Sequence, residues 1–415
     1  MAASSSLPIA ILGSGISGLL VARALLRASP SLKLVVLDRA GVGASLAGNK
    51  LALSLEHDTI SRIAKLMNEE TGSLLAEAGV RTPNGLSDVV DGDVEQSSSS
   101  SWHSISRHVL ASKLAAALPQ ETLEQAPREL VKIEWRAGHG QALRLRFKDG
   151  EALDARWLIA ADGVHSAGVS LAWSRYHPHA NAGAVRGLMA EQVKHVVHPF
   201  VAIHGSRRLS PASFASSAFA EALRHSPKLV HKTAGARVQL SLDEWTEERV
   251  AISWTYIRRA QGDADPLYKP DRSKKEASVV SDAFDGELID ALGGAPPTFA
   301  ALLEGAVAYD GKPASDRRLS WLLRTVPMEA QSDAARSALA RAIFVGDAAH
   351  AVPIVCSYGV KDALDDAESL AEAFARHGET AEAAAVQQYI DEAASRWEAT
   401  RAFAKARLDR VAEQH

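Results

Sequence analysis

Ile9 to Leu12 is a run of apolar residues that enters a glycine turn, as a buried parallel strand does. Ile16 to Ala28 is rich in helix formers and stops at Ser29-Pro30, and Leu34 to Asp38 is a second apolar run closed by an acid. Strand, helix and strand in this order predict a βαβ unit with a right-handed crossover. Further strands are predicted at Leu130–Trp135, Leu143–Phe147 and Trp157–Ala161, with hairpin signals at Asp91-Gly92 and Asp149-Gly150. Arg107–Ala117 reads as a helix, and Ser97 to Ser101 as a linker. From Tyr176 to Trp321 the pattern changes to strands, among them Gly183–Met189, Val238–Leu242 and Val250–Arg258, with scattered helices. Ala342–Val345 is another apolar run. Beyond it, Leu364, Ala367, Leu370, Ala371 and Phe374 recur at helical spacing within Val360–Ala375. Asp362, Asp365, Asp366 and Glu368 near the start of that helix suit the positive end of its dipole. Ala381 to Gln414 is expected to be mostly helical.

Composition narrows the class. The chain of 415 residues carries 46 Lys and Arg against 50 Asp and Glu, a formal net charge of −4, so no nucleic-acid partner is expected. One cysteine, Cys356, excludes an internal disulfide and any multi-cysteine metal centre, which fits a reducing, cytoplasmic setting. The start of the chain lacks the layout of a signal peptide, and no apolar run is long enough for a membrane anchor. His177, His179, His195 and His198 lack acids or cysteines at metal-ligand spacing, so no metal site is expected.

The chemistry begins at Gly13-Ser14-Gly15-Ile16-Ser17-Gly18, a G-x-G-x-x-G between a strand and a helix. Its glycines provide the tight turn, the close approach of a pyrophosphate and the close packing of helix on strand. The phosphate then sits on free N–H groups at the helix start. Asp38, 20 residues beyond Gly18 and followed by Arg39, stands where an acid binds ribose hydroxyls. This much predicts a dinucleotide and leaves NAD and FAD open.

Two later stretches decide between them: Ala160-Ala161-Asp162-Gly163-Val164-His165-Ser166, and Phe344-Val345-Gly346-Asp347-Ala348-Ala349-His350-Ala351-Val352-Pro353. With the glycine start and Ile105-Ser106-Arg107, they resemble the class A, para-hydroxybenzoate hydroxylase-like FAD monooxygenases, and most closely those of fungal secondary metabolism. The resemblance implies an α/β fold: a Rossmann-like FAD-binding domain of residues 1–175 and 322–376, an inserted sheet-rich substrate domain of residues 176–321, and C-terminal helices over 377–415. It implies that Gly13, Gly15, Ile16 and Gly18 hold the FAD pyrophosphate, Asp38 and Arg39 the adenosine ribose, and Arg107 the flavin side. Asp162 and Gly163 would lie beside the pyrophosphate, and Gly346 and Asp347 at the ribityl chain. Pro353, Gly359 and Val360 would pass the isoalloxazine ring, with Lys50 and Leu51 on its other side. Reduced flavin carries negative charge near N1, and the helix starting near Gly359 supplies positive potential there. The oxygen-bearing flavin also needs a dry pocket.

The implied activity is hydroxylation or epoxidation of an electron-rich small molecule, a secondary metabolite, with NADPH or NADH as reductant and O2 as co-substrate. A redox-neutral cyclisation or rearrangement on the same fold is the alternative. A non-enzymatic binder like the Rab-escort and GDP-dissociation-inhibitor proteins is a third reading, which the Asp-Gly and Gly-Asp motifs oppose. Arg186 is a candidate partner for a phenolate or enolate, and Tyr256 a candidate of the same kind, with Trp254 beside it. Several positions depart from the family pattern, among them Ala167-Gly168-Val169, which stand where an Arg often follows the Asp-Gly motif. Cys356 and Ser357 stand where small glycines are usual, and Lys361 where Asn is common. Lys361 is expected to add positive charge at flavin N1.

Overall fold

The computed structural model describes residues 7–44, 51–82, 85–86, 101–135, 142–173, 196–233, 235–273, 275–304, 306–307, 313–314, 316–325, 341–377 and 382–413. The hairpin expected around Asp91 and the strand expected at Gly183–Met189 lie outside these residues.

In chain order the elements that position the site are β1 (Ile9–Leu12), α1 (Ile16–Ala28), β2 (Leu34–Leu37), β3 (Ala52–Glu56), α2 (His57–Met67), β4 (Trp102–Ser106) and α3 (Arg107–Ala116). Then follow β5 (Leu130–Trp135), β6 (Leu143–Phe147), β7 (Ala152–Ala155), β8 (Trp157–Ala160) and α4 (Ala167–Trp173). The middle of the chain contributes β9 (Phe200–Leu209), β10 (Lys228–Thr233), β11 (Ala236–Trp245), β12 (Val250–Arg259), α5 (Ala283–Leu292) and β13 (Arg317–Trp321). The last part holds β14 (Ala342–Phe344), α6 (Asp347–His350), α7 (Gly359–His377) and α8 (Glu382–Glu413).

The fold is α/β. β2, β1, β8 and β14 form a parallel sheet in that order, with Ile11 in register with both Val36 and Ile159. β1 and β8 are buried along their whole length because α1 and its neighbours cover the sheet, as an all-parallel sheet requires. The Cβ-less Gly18 lets α1 lie close to the first turn, and α7 packs along α1 with Leu364, Leu370 and Phe374 inside the same core. β5, β6 and β7 form a small antiparallel sheet joined through the Asp149-Gly150 turn.

A second, antiparallel sheet runs β10, β11, β12, β9, β13. One of its faces is an apolar core of its own, where Trp254, Tyr256, Val238 and Ile203 meet Phe284 and Leu288 of α5. Among the described residues, no helix is long and apolar enough to cross a membrane.

Candidate cofactor and substrate site

The three glycines of the first turn have different physical reasons. Gly13 has φ +106°, and a Cβ there would meet the Ala161 carbonyl at 2.6 Å. A Cβ on Gly18 would come within 2.0 Å of the Gly13 carbonyl oxygen. The fold itself therefore demands both. Gly15 is unlike them: its φ and ψ of −68° and 176° suit any residue, and a Cβ would have nothing within 4 Å. No atom of the described residues explains this glycine, and the open space beside it suits a bound group. α1 starts there with no side-chain cap and no acid in its first turn, which leaves its free N–H groups and positive dipole end to an anion. A pyrophosphate meets that description.

Asp38 closes the same turn. Its Oδ2 accepts from the Ser14 amide at 3.0 Å and the Ser14 hydroxyl at 2.9 Å, and its Oδ1 accepts from the Ala40 amide. Arg39 beside it is exposed. The second motif packs on the first, because the Gly13 contact is with Ala161 and the Asp162 Cα. The Asp162 carboxylate is taken up locally: it receives the Ser166 hydroxyl and the Ala167 and Gly168 amides, and so caps α4. Burial raises its pKa despite those donors. Gly163 follows with φ +83° and open space around it.

The third motif completes the crevice. Gly346 has φ +56°, and a Cβ there would strike the Ser17 hydroxyl of α1 at 2.6 Å. Asp347 comes next; it is surrounded by protein yet open to solvent on one side, and among the described residues its carboxylate has no hydrogen-bond partner. Gly359, at the start of α7, lies with its Cβ position 3.6 Å from Asp347 Oδ1, and Val360 follows. Arg107, the first residue of α3, faces Asp347 electrostatically, and its amide donates to the Leu51 carbonyl. Burial lowers the Arg107 pKa while the Asp347 charge opposes that, and its guanidinium too lacks a described hydrogen-bond partner. A cation and a carboxylate that feel each other's charge, neither with a hydrogen-bond partner among the described residues, fit a polar cofactor that bonds to both.

Sequence reasoning missed the residue that holds this corner. Asp366, 1% exposed, accepts from the Gly346 amide at 2.8 Å, His350 Nε2 at 2.5 Å, Trp397 Nε1 at 3.0 Å and Arg396 at 3.4 Å. The acids of α7 do not simply complement its dipole. Asp362 alone lies in the first turn, where it is buried against Thr400, and Asp366 is a buried anchor. The signal that could have found it was an acid on the apolar stripe of the helix, beside Ala367 and Leu370.

The departures resolve individually. Cys356 is fully buried, its thiol 3.9 Å from the Ala404 carbonyl, and burial pushes its pKa up to about 12. Ser357 takes φ +60°, the left-handed region where glycine is favoured. Lys361 donates to Asp365 at 2.8 Å, and Arg62 holds the same Asp365 at 2.6 Å. Its ammonium also sits 5.9 Å from the centre of the Tyr358 ring. Pro353 is buried while the next residue, Ile354, is 54% exposed.

Tyr256 is not gathered with these residues. Its hydroxyl donates to Glu287 at 2.5 Å on the α5 side of the sheet, within an Arg258, Asp265 and Glu287 network. Trp254 lies on that same face. The opposite face presents His204, Thr255, Ser253 and Gln239, none of which the sequence pattern singled out. Arg186 and Lys50 lie outside the described residues.

No family model matches the chain. It is 30% identical over 265 residues to the FAD-dependent monooxygenase aptC of Emericella nidulans, covering 63% of this chain and 57% of that protein. It is 26% identical over 401 residues to the FAD-dependent monooxygenase nscC of Aspergillus fumigatus, covering 94% and 91%. The chain is a relative of the fungal FAD-dependent monooxygenases. It spans about half the length of the first curated relatives that it matches. Among solved structures, 2,6-dihydroxypyridine-3-hydroxylase from Arthrobacter nicotinovorans superposes with a TM-score of 0.67 at 16% identity, over 100% of this chain and 94% of that one. That likeness is one of fold: a Rossmann-like domain with a sheet-rich partner. For this relative of FAD enzymes, the open Gly15 cradle and the Arg107–Asp347 corner fit FAD.

Proposed function

We propose that the protein is an FAD-dependent monooxygenase that uses NADPH or NADH and O2 to hydroxylate or epoxidise an electron-rich small molecule of secondary metabolism. The observation that carries the reading is the open space at Gly15, which nothing among the described residues requires, opening onto the free start of α1. FAD, when bound, supplies electron transfer from the nicotinamide and the activation of oxygen. The protein's share is binding, orientation and exclusion of water. The free N–H groups at the start of α1, from Gly15 and Ile16 to Gly18, would hold the pyrophosphate, and Asp38 the ribose. Asp347 would accept from the ribityl hydroxyls, with Arg107 donating on the flavin side. The start of α7 would place positive potential where charge develops. The sheet face bearing His204 and Thr255 would cover the substrate and keep the pocket dry.

Anaerobic stopped-flow mixing of the FAD-loaded protein with NADPH or NADH tests this, followed by oxygen uptake and product mass under 18O2. Flavin bleaching by a nicotinamide, and label in the product, are expected. A protein that needs bound flavin yet converts a substrate without consuming nicotinamide or O2 would instead be redox-neutral.

A further inference from the structure

His204 lies on β9 with its neighbours on both sides accounted for. Its ring stacks on Trp321 of β13 at 4.1 Å between centroids and 10° between planes, and its Nδ1 is 3.2 Å from Thr255 Oγ1. The side chain is 5% exposed, and among the described residues Nε2 has no hydrogen-bond partner. Burial pushes its pKa down to about 4, so the ring is neutral at physiological pH. A neutral imidazole whose Nδ1–H donates to a threonine has an acceptor left at Nε2.

The registers put His204, Thr255 and Gln239 on one face of the sheet, opposite the α5 layer. At one end of this face, Ala202, Ile257 and Trp321 share a cluster with Leu408 and with Val355 of the 353–360 loop. At the other end, Lys228 reaches Ser54, and Asp243 accepts from the Ala52 amide of β3, which follows directly on Leu51. His204 therefore sits between the two segments that flank the flavin in the reading above.

We propose that His204 is the substrate-orienting residue, its Nε2 accepting the hydroxyl hydrogen of a planar hydroxylated ring that lies along the Trp321 indole. The assignment of the neighbouring segments to a flavin rests on the proposed function; the acceptor and its aromatic wall do not. In this tautomer Thr255 accepts from the Nδ1–H, and Trp321 holds the imidazole plane.

The test uses the FAD-loaded protein and two probes, 2-naphthol and 2-methoxynaphthalene, which differ in the hydroxyl hydrogen. Dissociation constants are read from quenching of tryptophan and flavin fluorescence, with no turnover required. The wild type is expected to bind the naphthol at least tenfold more tightly than the ether. His204→Phe keeps an aromatic ring on Trp321 and should bring the ratio close to one. Thr255→Val, which removes the partner of Nδ1 without touching the stack, should lower it severalfold and carries the test if His204→Phe loads no FAD. An unaltered ratio in both variants overturns the proposal, as does a ratio near one, or no saturable naphthol binding, in the wild type. A protein that discriminates the probes but is not reduced by a nicotinamide keeps this inference and loses the monooxygenase reading. One that is reduced but does not discriminate does the reverse.

Discussion

Replacing Asp366 by Asn removes a charge without changing side-chain shape, so its cost reports the network at the Gly346–Asp347 corner. All four groups around Asp366 are donors: the Gly346 amide and His350 Nε2 at Oδ2, and Trp397 Nε1 and Arg396 at Oδ1. An amide places its own N–H2 against one of these pairs, whichever way it turns. Losing one or two charge-assisted bonds costs about 1.5–3 kcal/mol each, and breaking a buried pair by removing one partner typically costs about 3–5 kcal/mol in all. The pH dependence has a definite sign. The Asp366 carboxylate holds the His350 pKa above its ordinary value although burial opposes this, so that stabilisation is present below the usual histidine range and fades as pH rises through the raised value. His350 and the hydrogen-bond donors hold Asp366 below the usual carboxylate range against burial, and that part fades as pH falls through the lowered value. The difference between wild type and Asp366→Asn should therefore be largest between about pH 4 and 6.5 and shrink in alkali. Urea unfolding of both proteins at a series of pH values measures it. A difference below about 1 kcal/mol, or one constant from pH 5 to 9, would refute the network as described.

Three further outcomes follow from the same geometry. Ser357→Gly relieves a left-handed serine worth about 1–2 kcal/mol and returns about 0.5–1 kcal/mol of unfolded-state entropy, so thermal melting should show stability unchanged or slightly raised; a loss above about 1 kcal/mol contradicts this. The Cys356 thiol, buried and raised to about 12, should resist alkylation by iodoacetamide at pH 8 until the protein is unfolded by urea, and rapid native labelling would show the loop placed differently. Asp362 is raised to about 6 by burial, so the folded state loses stability as pH climbs from about 4 to 6, and Asp362→Asn should gain about 1–3 kcal/mol at pH 8 and nothing at pH 4; an equal effect at both values falsifies the assignment.

Local steric rules made the cofactor half of the site legible. The turn geometry explains Gly13 and Gly18, Gly15 completes their G-x-G-x-x-G spacing between a strand and a helix, and the Asp-Gly and Gly-Asp stretches each sit directly after an apolar strand. Asp366 escaped because its partners come from a loop 20 residues earlier and a helix 31 residues later, distances at which sequence carries no pattern. Nothing in the sequence pattern indicates which face Tyr256 occupies, for a different reason. β12 is buried at nine consecutive positions, Val250 to Arg258, so alternation gives no clue to which face meets α5. The polar face with His204 and Thr255 is built from strands far apart in the chain, and only their register brings those side chains together.

In the proposed function Gly15 is kept free for FAD, while Gly18 is kept free for the fold. Equilibrium titration of FAD into refolded wild type, Gly15→Ala and Gly18→Ala, with a thermal melt of each flavin-free protein, separates the two directly. Wild type is expected to bind one FAD, Gly15→Ala to melt within about 1 kcal/mol of wild type but bind FAD at least tenfold more weakly, and Gly18→Ala to be destabilised before any flavin is added. Wild-type FAD affinity in Gly15→Ala would contradict it.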